Sequence, residues 1–108
     1  MLGQTTFGWV DRCCRQATGL LEKLFGGKSI IILGDSVQLP PVGDKPLYYS
    51  KPPNTIAEEG FYAYRMFDNV VILKINQRAV GSKPDQILFR EMLFRLRNGD
   101  SSVDDWKV

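Results

Sequence analysis

The sequence predicts an α/β fold in which parallel strands are covered by helices, and three observations carry that expectation. Ile30-Ile-Ile-Leu33 is a run of mostly β-branched apolar residues with no polar alternation, as in a strand buried on both faces. Val70-Val-Ile-Leu-Lys-Ile75 is a second run of strand type. Stretches of helical periodicity lie before, between and after these two runs. Each run also ends abruptly in polar residues: Gly34-Asp35 and Gln38 after the first, Asn76-Gln77-Arg78 after the second. Ligands of open α/β sheets bind outside the carboxyl ends of the strands. If both strands lie in one sheet, Asp35, Gln38, Gln77 and Arg78 converge on one edge, a set suited to a polyanion such as phosphate with a metal or water.

The first helix is expected to start at a cap supplied by Thr5 or Thr6. Val10, Cys13, Cys14, Ala17, Leu21 and Leu24 recur at the spacing of one buried face, and Arg12, Arg15, Gln16, Glu22 and Lys23 fill the other. Gly8 and Gly19 weaken this helix locally, and Gly26-Gly27 stops it. The segment Gly26-Gly-Lys-Ser29 superficially matches the end of a phosphate-binding loop. It fails as one, because Glu22 stands where the first glycine belongs and the segment leaves a helix to enter a strand, the reverse of the required order. It reads as a helix-to-strand turn.

Pro40-Pro41 stiffens the loop after the first strand, and Gly43-Asp44-Lys45 makes a turn. A short extended piece, Pro46–Ser50, carries Tyr48 and Tyr49, which suit packing or base stacking. Thr55-Ile-Ala-Glu58 has the spacing of a capping box and opens a second helix with Ile56, Gly60, Ala63, Tyr64 and Phe67 on one side. Ser82 caps a third, with Pro84 and Asp85 in its first turn, an apolar stripe from Leu88 to Leu96, Arg95 and Arg97 in its last turn, and Asn98-Gly99 at its end. Ser102-Val-Asp-Asp105 begins a further capped helix.

Composition narrows the chemistry. The chain has 108 residues, 44% hydrophobic and 24% charged, which is globular and sized for a modest core. The net charge of +2 permits a nucleic-acid partner without requiring one. No histidine is present, which removes the commonest general base and the Ser-His and Cys-His nucleophiles. Cys13 and Cys14 are adjacent within a helical pattern, so neither a disulfide nor a metal cluster is expected. No apolar run reaches the length of a membrane span.

Gly34-Asp-Ser-Val-Gln38-Leu-Pro-Pro-Val42 resembles motif III of superfamily 1 DNA helicases, G-D-x-x-Q-L-P-P-V, with the Pif-type and Helitron transposon helicases as the nearest likeness. The run from Val70 to Arg78 is similar to motif IV, V-x-x-L-x-x-N-x-R, and the segment from Phe89 to Trp106 is similar to the opening of the second motor domain. The resemblance implies a partial RecA-like domain over residues 1–78 and the start of a second over 79–108. It implies an ATP-dependent 5′-to-3′ DNA helicase acting in repair, recombination and telomere or genome maintenance, intracellular, in nucleus or mitochondrion. Its partners would be single-stranded and duplex DNA, with no membrane. Gly34, Asp35, Gln38 and Arg78 would face ATP: Gln38 reports the γ-phosphate state, Arg78 stabilises charge developing in hydrolysis, and Asp35 holds the loop. The P-loop lysine and the Asp-Glu pair that serve ATP and Mg²⁺ would lie upstream of Met1, so the chain alone is expected to hold neither tightly and to be inactive. A catalytically dead gene fragment or interaction module, and a small single-stranded-DNA-binding module, stay open beside this reading.

Overall fold

The computed structural model describes residues 1–78 and 80–107. It divides into two compact units, Met1–Val70 and Val71–Val108. The first is built on two packed helices, α1 (Gln4–Thr18) and α2 (Thr55–Arg65), with a 3₁₀ turn at Leu24–Gly27. The second contains α3 (Pro84–Asn98) and a 3₁₀ turn at Asp104–Lys107.

The expected parallel sheet, and with it the RecA-like α/β arrangement, is absent among the described residues. Helix makes up 46% of the structure and strand 2%, so the observed class is helical. Strand pairing among the described residues is limited to an isolated antiparallel bridge between Gly3 and Pro46. The physical reason is that apolar, β-branched runs set what side chains prefer to touch, whereas a strand also needs a neighbour for its N–H and C=O groups. Ile30 and Ile32 lean on the core of the first unit, while Ile31 and Leu33 are 84% and 82% exposed. Val70 to Leu73 and Ile75 are each 75% or more exposed, so the second run is not buried on either face.

The buried side of α1 differs from the expected one. Gln4, Phe7, Gly8 and Asp11 are buried, whereas Val10, Cys13, Ala17 and Leu21 are exposed. Of the predicted stripe, Cys14 and Leu24 pack on the core. The core itself is aromatic: Phe7 and Phe25 lie 5.2 Å apart between ring centroids, and Phe67 sits 6.2 and 6.4 Å from them. Tilted and edge contacts of this kind add to the area that the rings bury. Gly8 and Gly60 mark the place where α1 and α2 approach. A Cβ on Gly8 would collide with the Ile56 carbonyl oxygen, and one on Gly60 with the Gln4 carbonyl oxygen. The absence of side chains there is what lets the two backbones touch.

Helix ends also shift. α1 stops at Thr18, earlier than expected, because Gly19 takes a left-handed conformation (φ 71°) and its N–H donates to the Gln16 carbonyl. Asn54, rather than Thr55, caps α2: its Oδ1 accepts from the Ala57 N–H at 2.9 Å. α3 begins with Lys83 at the cap position and Pro84 in its first turn; Lys83 makes no side-chain cap bond, so Ser82 is not the cap. Its other end is as expected, with Gly99 left-handed and the Asp100 N–H donating to the Arg95 carbonyl. The capped start at Ser102 is realised as the Asp104–Lys107 turn. There the Ser102 N–H donates to Asp105 Oδ2 at 2.8 Å and the Asp105 N–H donates back to Ser102 Oγ. The Arg95 guanidinium grips both Asp105 oxygens, and this fork holds the Asp105 carboxyl far below the usual carboxylate range.

Candidate functional site

Two turns carry the residues that the sequence singles out. In the first unit, Asp35 accepts the Val37 N–H on its Oδ1 at 3.1 Å, and its carbonyl accepts the Gln38 N–H at 3.2 Å. The carboxylate therefore braces the turn, a short side-chain-to-backbone closure of the Asx type. Gly34 and Gln38 are exposed, and the rigid Pro40-Pro41 pair follows directly. In the second unit, the Arg78 N–H donates to Asn76 Oδ1 at 3.0 Å, closing the same kind of turn, with Gln77 and Arg78 exposed. Both apolar runs thus hand off to polar residues in the same local way.

The turns belong to different compact units. Gly34, Asp35 and Gln38 come together in one, Gln77 and Arg78 in the other. The parallel sheet that would have brought all of them to one edge does not form among the described residues. Nor do those residues contain a group of three or more His, Cys, Asp or Glu side chains able to hold a metal ion. Gln38 offers an amide and Arg78 a guanidinium, both suited to phosphate oxygens.

The loop that contains Gln38 is anchored beyond Val42 in a way that sequence periodicity missed. Gly3 holds the N-cap position of α1 and brings no capping side chain. Asp44 supplies it from across the chain: Oδ1 accepts from the Thr5 N–H and Oδ2 from the Thr6 N–H, each at 3.1 Å. Thr5 and Thr6 are therefore the capped residues and not the cap. Partial burial pushes the Asp44 carboxyl upward, but N–H groups of Thr5, Thr6 and Lys45 outweigh it and hold the group below its usual range. Gln4 adds a second link. It is fully buried, its N–H donates to the Lys45 carbonyl at 2.8 Å, and its Nε2 donates to the Tyr49 carbonyl at 2.6 Å. The signal available in the sequence was the glycine at the helix start, since four leading N–H groups need acceptors from somewhere.

Tyr48 is 58% exposed, and Lys45 Nζ lies 5.1 Å from the centre of the Tyr49 ring. Between the two helices, Arg12 of α1 forks onto Glu59 of α2 with two bonds of 2.7 Å, and within α1 Arg15 meets Asp11 at 2.9 Å. The Arg12 fork lowers the Glu59 pKa and raises that of Arg12. These arginines answer carboxylates within the fold. No described helix is long and apolar enough to cross a membrane.

Over 37 residues the chain is 51% identical to the ATP-dependent DNA helicase PIF6 of Trypanosoma brucei brucei. The match covers 34% of this chain and 5% of that helicase, so the chain corresponds to a small part of its length. It supports a helicase resemblance over that stretch. No family model matches the chain, and no solved structure does.

Proposed function

We propose that the chain is a fragment of an ATP-dependent 5′-to-3′ DNA helicase, in which the Gly34–Val42 loop meets the γ-phosphate side of the nucleotide. The observation that carries this reading is the loop itself. Gln38 stands exposed between a turn braced by Asp35 and the stiff Pro40-Pro41 pair, so its amide is presented by a backbone with little slack. The local identity to a DNA helicase supports the helicase part of this reading. Gln38 senses the γ-phosphate, Asp35 holds the turn, and Arg78 meets charge that develops during hydrolysis. ATP with Mg²⁺ supplies the phosphoryl group, and the residues that hold them lie in other parts of the helicase. Action on single-stranded and duplex DNA in repair, recombination or telomere maintenance, in nucleus or mitochondrion, belongs to this proposal.

DNA-stimulated ATP hydrolysis by the full-length protein tests it. Stimulation is expected in the parent sequence and its loss in Gln38→Ala, with nucleotide still bound. Hydrolysis indifferent to DNA, or unchanged in Gln38→Ala, overturns it. A single-strand-binding module is the second reading, favoured by exposed Tyr48 and the Lys45–Tyr49 contact. It predicts instead that the 108-residue chain alone binds a labelled single strand, and that Tyr48→Ala weakens that binding without nucleotide.

A further inference from the structure

We propose that Asp44 is a positioning residue for Gln38: by capping α1 from across the chain, it fixes the far end of the Gln38 loop and sets where that amide is presented. The inference rests on the reading of Gln38 given above and deepens it.

Four observations converge on it. First, the loop closes on itself in a turn at Asp35 and is fastened to the start of α1 at Asp44 by the bonds from the Thr5 and Thr6 N–H groups. Second, the chain between those two points has little freedom, because Pro40 and Pro41 fix their φ angles. Gly43 then turns the backbone into Asp44 with φ 65°, a left-handed conformation suited to glycine. Third, the anchor extends past Asp44 through the Gly3–Pro46 bridge and through the bonds from Gln4 to the Lys45 and Tyr49 carbonyls. Fourth, α1 is built to receive this cap. Gly3 has no side chain of its own to offer, and a Cβ there would run into the Asp44 carboxylate. An anion at the positive end of a helix, bonded to two of its free N–H groups, is a strong and directional link.

The geometry supplies two independent ways to break the link. Asp44→Ala removes the carboxylate. Gly3→Ala leaves every polar group in place and displaces the carboxylate by steric overlap. Asp44→Asn keeps a carbonyl acceptor. Backbone ¹⁵N order parameters in the 108-residue chain read the result at Val37, Gln38, Leu39 and Val42, with the α2 amides from Glu59 to Arg65 as a reference. The parent loop is expected near the rigid value of about 0.85, and Asp44→Ala and Gly3→Ala are each expected to drop it below about 0.6 with α2 unchanged. The double variant should fall no further than either single one, and Asp44→Asn should retain most of the order. An unchanged Gln38 loop in Asp44→Ala overturns the proposal. So does equal loss of order in the loop and in α2, which would make Asp44 a general support of the fold. A parent loop already below about 0.6 overturns it too, since nothing would then be positioned. Order parameters read the loop without nucleotide, so failure here leaves the helicase reading standing, and failure of DNA-stimulated hydrolysis leaves the positioning result intact.

Discussion

Gly8 and Gly60 occupy the contact between α1 and α2, and each would drive a Cβ into backbone of the other helix. Backbone cannot rotate away as a side chain can, so the helices must separate. Gly60→Ala is expected to destabilise the first unit by about 1–3 kcal/mol despite alanine's better helix propensity. A raised urea midpoint in that variant would contradict the contact. Phe25 shows the opposite balance. It is a non-glycine residue at φ 52°, a conformation that costs about 1–3 kcal/mol. Its ring is buried against Phe7, and its N–H donates to the buried Asp11 Oδ1 at 2.6 Å. Asp11→Ala leaves that N–H without an acceptor and is expected to cost about 1–3 kcal/mol, with Asp11→Asn milder. Chemical denaturation of the two variants checks the order.

The same residues show what one-dimensional patterns can convey. Gly8 reads as a weak point in a helix when only propensity is considered, because the partner that needs its missing side chain lies far away in sequence. Asp11 and Gln4 carry no signal in the apolar periodicity, yet both sit in the interior with backbone partners. The turns at Asp35 and Asn76-Arg78 are legible in sequence because a polar residue just after an apolar run is a local signal, and both turns close locally. Asp44 was noticed only as a turn residue, since its role depends on a helix start dozens of positions earlier.

At the scale of elements, helix ends were legible where their chemistry is contained in a few residues, as with Gly99 after α3. The two apolar runs were not, because a strand is a property of a pair. Acid titration addresses the α1 cap directly. The folded Asp44 and Glu59 carboxyls lie below their usual values of about 3.9 and 4.3, so the unfolded chain binds protons more readily. The stability that these two groups contribute to the first unit is therefore fully present above those values and is lost as pH falls through and below about 4. Asp44→Asn should flatten part of that slope when urea midpoints are compared between neutral pH and pH about 3. A slope as steep as the parent's would show that the cap titrates identically in both states. In the second unit the Arg95–Asp105 fork is expected to persist through mild acid, because the Asp105 carboxyl is held lower still.

At the scale of the whole chain, the run Val70–Leu73 with Ile75 and, separately, Ile31 and Leu33 leave large apolar side chains in water. Such segments associate edge to edge. The isolated 108-residue chain is expected to self-associate with rising concentration, and Leu73→Lys to reduce that association. Light scattering on the two proteins checks it, and a parent chain that stays monomeric at high concentration would contradict it.

In the helicase proposed above, Arg78 is the residue whose loss separates chemistry from binding, because its planar fork suits phosphate oxygens and cannot be deprotonated. A group that meets charge developing at a transferred phosphoryl acts mainly in the transition state, so its loss lowers kcat far more than it weakens binding. Arginines in such roles are worth about 10³ to 10⁵ in rate. The deciding measurement is kcat for ATP hydrolysis and Kd for an ATP analogue in the full-length protein, for Arg78→Ala and Arg78→Lys. Both variants are predicted to lose most turnover while keeping the analogue's Kd within a few-fold, and near-normal turnover in Arg78→Ala would contradict the assignment.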